Sequence, residues 1–191
     1  MKFLVVSGLI GSGTSLLAQL AHESGVTMGA VMDFPLYGVQ PEWEDRDFSH
    51  TLSTWALSGE AADPVFLETY FEDRRVQQGR FAARFSRLGP GVKSPLALVY
   101  REAIDEASKR AGVELQWILT ERAPEDCWQA ILRKVAGMGV HTAYRDALRF
   151  QLWALQEKVK ESFPIGFDRI PFETLLQEPE KVKRHISERM A

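Results

Sequence analysis

The stretch that most constrains this chain is its beginning, FLVVSGLIGSGTSLLAQL, residues 3–20. Residues 3–7 are short, apolar and β-branched, and a glycine ends them, which predicts a buried strand. Residues 14–24 place Leu16, Leu17, Leu20 and Ala21 on one face and stop at Gly25, which predicts a helix. Between the two lie Gly8, Gly11, Ser12 and Gly13. Glycines permit positive φ and let successive N–H groups turn inward around an anion. The helix that follows adds its own free N–H groups and positive dipole end, and Thr14 and Ser15 add hydroxyls. The spacing is that of a phosphate loop, G-x-x-x-x-G-K-[ST], with Thr14 in the lysine position. A glycine-rich turn without a ligand is the competing reading. A dinucleotide fingerprint is excluded, because it would need a glycine where Leu16 stands.

The rest of the chain repeats the alternation. Segment 26–47 reads as irregular, then a helix near 49–58. Asp63-Pro64 opens another helix running to about Leu88, with an interruption at Gly79. Gly91–Lys93 reads as a brief strand, 96–110 as a helix, and LQWIL at 115–119 as a strand. Pro124 opens a helix, a long one spans 143–162, residues 165–171 form a last strand, and Pro179 opens a closing helix. Strands separated by helices predict an α/β fold with a mainly parallel sheet of about five strands covered on both faces. Residues 1–191 read as one domain, with a helical insertion around 49–88 that would carry acceptor specificity. Sites in such sheets lie at the carboxyl ends of strands, which gathers the 8–15 loop, Lys93 and Arg122 along one edge.

Composition narrows the partners. A net charge of −3 gives no general attraction to nucleic acid, no apolar stretch is long enough for a membrane span, and no secretory signal is visible. The single cysteine, Cys127, excludes an internal disulfide framework and fits a reducing compartment, so a cytoplasmic location is expected. The four histidines have no metal-ligand spacing.

Five stretches, in order, resemble the bacterial sulfotransferase family. GLIGSGTSLLAQLAHESGVTMG is similar to its first motif, G-x-x-R-S-G-T-[ST], with the helix and L-G-V-x-M-G that follow. EWEDRDFSHTLSTWALSG at 42–59 resembles its acidic-aromatic segment, and VKSP at 92–95 its K-D-P. WILTERAPEDCWQAIL at 117–132 resembles its R-x-P-x-[DE] segment, and RIPFETLLQEPEKV at 169–182 its Y-E-D-L-L-x-x-P stretch. The resemblance implies a P-loop, nucleotide-kinase-like three-layer α/β/α fold. It implies transfer of a sulfuryl group from the co-substrate 3′-phosphoadenosine-5′-phosphosulfate (PAPS) to an acceptor hydroxyl of a small molecule or sugar, without a metal. Residues 8–15 would then hold the 5′-phosphosulfate and Arg122 the 3′-phosphate, for which its planar fork is suited. Two positions depart from the pattern: the family's basic loop residue aligns with Gly11, and its serine eight positions after the arginine aligns with Ala130.

Lys93 is the candidate replacement cation for position 11, against the reading of a surface lysine near a turn. Glu44 and His50 are candidate bases; Glu44, Asp45 and Asp47 also read as a solvated loop or a helix-start charge. Arg80, Arg84 and Arg87 share a stripe beside Phe81, Phe85 and Leu88, either receiving an anionic acceptor or forming a solvated face; Arg145 and Arg149 share that ambiguity. Trp117, Trp128 and Trp153 read as core. Two other functions compete. A kinase or nucleoside triphosphatase would use Ser15 and Glu121 for magnesium, but Thr14 denies it the loop lysine. A non-catalytic nucleotide-binding module would explain Gly11 and Ala130.

Overall fold

The opening stretch folds as its pattern demands. In the computed structural model, which describes residues 1–28, 45–81, 89–136, 142–163 and 166–191, strand β1 spans Lys2–Gly8 and helix α1 spans Thr14–Glu23. Strands β2 (Val26–Thr27), β3 (Gly89–Lys93), β4 (Glu114–Glu121) and β5 (Arg169–Pro171) complete a sheet. Every pair is parallel, in the order β2-β3-β1-β4-β5. Parallel neighbours require crossovers, and here helices make them: α2 (Arg46–Ser58), α3 (Pro64–Phe81), α4 (Arg101–Arg110), α5 (Pro124–Ala136), α6 (Thr142–Glu161), α7 (Phe172–Gln177) and α8 (Pro179–Met190). The expected α/β architecture, a parallel sheet of five strands between helical layers, is thereby established.

Side chains leave a strand alternately to either face, and β1 shows the consequence. Phe3 and Val5 join Trp117 and Leu119 against Phe48 and Leu52 of α2, Leu67 and Phe71 of α3, and Ile104 of α4. Leu4 and Val6 join Ile118 against Leu17, Ala18 and Ala21 of α1, and Val182, Ile186 and Met190 of α8. Each such burial stabilises by about 1.5–3 kcal/mol, so β1 is anchored from both sides. The connection leaving β1 runs toward β2 and the one leaving β4 runs toward β5. They diverge at the carboxyl ends of adjacent strands, where a crevice must open.

Several expectations need correction. Segment 26–47 is not wholly irregular: Val26 and Thr27 pair with Gly89 and Pro90 to make the edge strand, and α2 already begins at Arg46. The helix expected over 96–110 divides into a 3-10 turn, Pro95–Leu98, and α4. The last strand is Arg169–Pro171 alone, and a separate α7 precedes α8. Helix α3 passes Gly79 unbroken to Phe81, since one glycine costs a helix only about 1 kcal/mol; the remainder of its expected course to Leu88, with Arg84, Phe85 and Arg87, lies outside the described residues. The side chains of Arg80 and Arg145 also lie outside the described residues, whereas Arg149 pairs with Asp146 on the surface of α6. Trp153 is 49% exposed and not core. No helix among the described residues is long and apolar enough to cross a membrane.

Within the acidic cluster, Asp45 is structural. It caps α2 by accepting the Phe48 N–H at 3.1 Å, and its carboxylate pairs with Arg74 of α3. Arg74 in turn lies over the Tyr70 ring at 5.1 Å. Burial, reinforced by the nearby Asp45 charge, raises the Tyr70 hydroxyl pKa well above its usual value. Replacing Arg74 by methionine leaves a carboxylate, itself 1% exposed, without its cation. That should cost about 3 kcal/mol in urea unfolding, with Asp45→Asn in the same chain recovering part of the loss; a loss below about 0.5 kcal/mol would mean the pair is effectively solvated.

Candidate functional site

Loop 8–13 joins β1 to α1 through a tight turn. The Ser12 N–H donates to the Leu9 carbonyl at 3.0 Å, and Gly11, at φ 85°, occupies the position where a type II turn requires positive φ. A Cβ on Gly11 would stand 2.5 Å from the Cys127 carbonyl oxygen of α5, so the neighbouring helix backbone enforces glycine there a second time. Gly13 is the N-cap of α1 at φ 101°, and a Cβ on it would meet the Phe172 ring at 2.5 Å. A residue without a side chain cannot cap. The first turn of α1 carries no acidic residue either, so neither its cap nor its own first turn offsets the positive end of its dipole.

That helix end opens on a cavity of about 430 Å³. Gly11, Gly13, Thr14 and Ser15 line it, together with the side chains of Lys93, Arg122 and Lys134. Lys93 is brought there by register: it ends β3 opposite Val6, one residue before β1 turns into Ser7 and Gly8. It is 3% exposed, so it is no surface lysine. Arg122 follows β4 and is held twice. It gives one of its five N–H groups to the Gly11 carbonyl at 3.2 Å, and its guanidinium stacks on Phe172 at 4.1 Å. Lys134 lies one helical turn beyond Ala130 on α5, and both line the cavity. Among the described residues, no aspartate or glutamate lines it.

Most of the remaining described lining is aliphatic. Leu96 comes from the 3-10 turn, Ile131 and Val135 from α5, Leu148, Leu152 and Leu155 from α6, and Leu57 from α2. Helix α6 also steadies the loop, since Gln156 accepts the Ile10 N–H at 2.8 Å.

The expected site residues thus divide. Lys93, Arg122, Gly11, Gly13, Thr14 and Ser15 converge on the cavity. Gly8 and Ser12 are not among its lining residues: the Ser12 hydroxyl is fully buried and shares a short hydrogen bond with Thr120 of β4, and Thr120 also fills the space beside Gly8. His50 is exposed on α2 and does not line the cavity, although it lies on the stripe that carries Leu57. Glu44 lies outside the described residues. Among the described residues, the walls come mainly from α5 and α6, and Ser53 and Leu57 represent the described part of the expected insertion. Sequence reasoning missed Lys134, Gln151, Gln156 and Phe172. Only the four-residue step from Ala130 to Lys134 was available as a signal.

No protein-family model matches the chain, and none of the curated proteins searched matches it.

Two outcomes follow from this geometry. Gly11→Ala should destabilise the fold by about 1–3 kcal/mol through strain at positive φ, and Gly11→Arg should do no better, because both place a Cβ against the Cys127 carbonyl. Urea unfolding checks this, and a neutral Gly11→Ala would refute the close approach. Burial raises the Cys127 thiol pKa to about 11, with Arg122 opposing. Near pH 8 roughly one thiol in a thousand is then ionised, so iodoacetamide should label the native protein far more slowly than the urea-unfolded chain.

Proposed function

We propose that this protein binds PAPS, with its 5′-phosphosulfate at the N-terminus of α1, and transfers the sulfuryl group to an acceptor hydroxyl. The observation that carries this reading is the convergence, in one cavity, of an uncapped helix N-terminus with Lys93, Arg122 and Lys134 and, among the described lining residues, no carboxylate. Such a site attracts an ester of strong acids, and no carboxylate among the described lining residues opposes it. In the reaction the acceptor oxygen bonds to sulfur while the bond from sulfur to the 5′-phosphate oxygen breaks. The bonding pair leaves with adenosine 3′,5′-bisphosphate, and the acceptor proton passes to water, since no described lining residue is a carboxylate or a histidine. The charge that develops on the leaving phosphate falls to the α1 N–H groups and Lys93.

A magnesium-dependent kinase is less well supported. Glu121, its strand-end acid, pairs with Arg169 at 3.2 Å and is not among the cavity's lining residues. A purely binding role differs from the proposal only in turnover.

Calorimetry with adenosine 3′,5′-bisphosphate should detect binding without magnesium, and ATP should bind more weakly. No binding at millimolar bisphosphate, with ATP bound instead, would defeat the proposal. Lys93→Met should lower kcat for sulfuryl transfer by about 100- to 1,000-fold. Bisphosphate affinity should fall much less.

A further inference from the structure

We infer that the acceptor is a medium-chain aliphatic alcohol, seated in the leucine-lined half of the cavity with its hydroxyl toward the loop; this rests on the sulfuryl transfer proposed above. The polar end of the cavity is fixed by Lys93, whose carbonyl accepts the Ser49 hydroxyl of α2 at 3.3 Å. From there α2 runs outward past Ser53 to Leu57, eight residues or about 12 Å farther on. Leu96, Ile131, Leu148, Leu152 and Leu155 line the same cavity. Leu57 is 53% exposed, so the far end opens to solvent and tolerates chains of differing length.

The lining selects against the other acceptor class. A sugar carries a hydroxyl on nearly every carbon, and each needs a partner when buried. Among the described lining residues beyond the loop, the uncharged polar side chains are Ser53, Ser94 and Gln151, too few to partner a sugar's hydroxyls. Nor does the lining offer an aromatic platform: the one aromatic among the described lining residues, Phe172, already has Arg122 on its face and Gly13 against its edge. Ile131 and Val135 on α5, and Leu148, Leu152 and Leu155 on α6, which packs against α5, give the cavity aliphatic surface that a flexible alkyl chain covers by dispersion contacts alone.

Titration calorimetry with 1-octanol and with methyl β-glucoside, each with and without saturating adenosine 3′,5′-bisphosphate, tests the assignment. Octanol should bind in both states with a negative heat-capacity change, and the glucoside should not bind. Leu152→Asn should weaken octanol by roughly tenfold or more while leaving bisphosphate affinity within about threefold. Leu148→Ser is the second variant if the first does not fold. Glucoside binding without octanol binding overturns the inference. So does displacement of octanol by bisphosphate, which would give this half of the cavity to the nucleoside. Failure of bisphosphate to bind removes the sulfuryl-transfer reading and with it the alcohol's role as acceptor, while octanol affinity remains the separate measure of the aliphatic compartment.

Discussion

Everything at this site depends on a helix start, that of α1, whose capping residue has no side chain. A helix start is ordinarily closed by a serine, threonine or aspartate side chain, and here the capping residue is Gly13. Its neighbours leave no choice, because the Phe172 ring occupies the space a side chain would need. The same holds one turn earlier, where the backbone of α5 presses its Cys127 carbonyl toward Gly11. The loop is therefore shaped by packing from α5 and α7 as much as by its own sequence. Gly13, Thr14 and Ser15, at the start of α1, line the cavity, and the capping position itself carries no side chain.

Electrostatics follows from the same arrangement. In the spacing G-x-x-x-x-G-K-[ST] the lysine supplies a charge-assisted contact, worth about twice a neutral hydrogen bond. Thr14, which stands in that position, is 4% exposed and brings no charge. Positive charge comes instead from three other elements: Lys93 at the end of β3, Arg122 after β4 and Lys134 on α5. Parallel pairing explains why this is feasible. In a parallel sheet all carboxyl ends lie on one side, so residues far apart in sequence reach the same crevice. Gly11 cannot regain a basic side chain without moving α5, so among the described residues the cavity's cationic chemistry falls to those three.

Much of the framework was legible because local signals and tertiary demands agreed. The apolar run of β1, the glycines and the apolar face of α1 each have one good solution. Pro64, Pro124 and Pro179 all mark true helix starts, since a fixed φ and a missing N–H suit a first turn. The losses came where long-range contacts decide. Two residues, Val26 and Thr27, carry no periodicity and become a strand only by pairing with β3. Trp153 was expected inside by its size, yet α6 turns its cavity-lining stripe at Leu148, Leu152 and Leu155 and leaves Trp153 half exposed beside Phe150. At the site, Lys93 and Arg122 were legible as strand-end cations. Phe172 and Gln156 were not, because an aromatic and a glutamine on distant helices announce no role until the fold brings them onto Gly13 and the Ile10 N–H.

The most direct measurement is a crystal structure of the protein with adenosine 3′,5′-bisphosphate. The account predicts the 5′-phosphate within hydrogen-bonding distance, about 3 Å, of the N–H groups of residues 13–15, with the Lys93 ammonium beside it. A 5′-phosphate bound elsewhere, or a helix N-terminus occupied by protein side chains while the nucleotide sits outside the cavity, would contradict it.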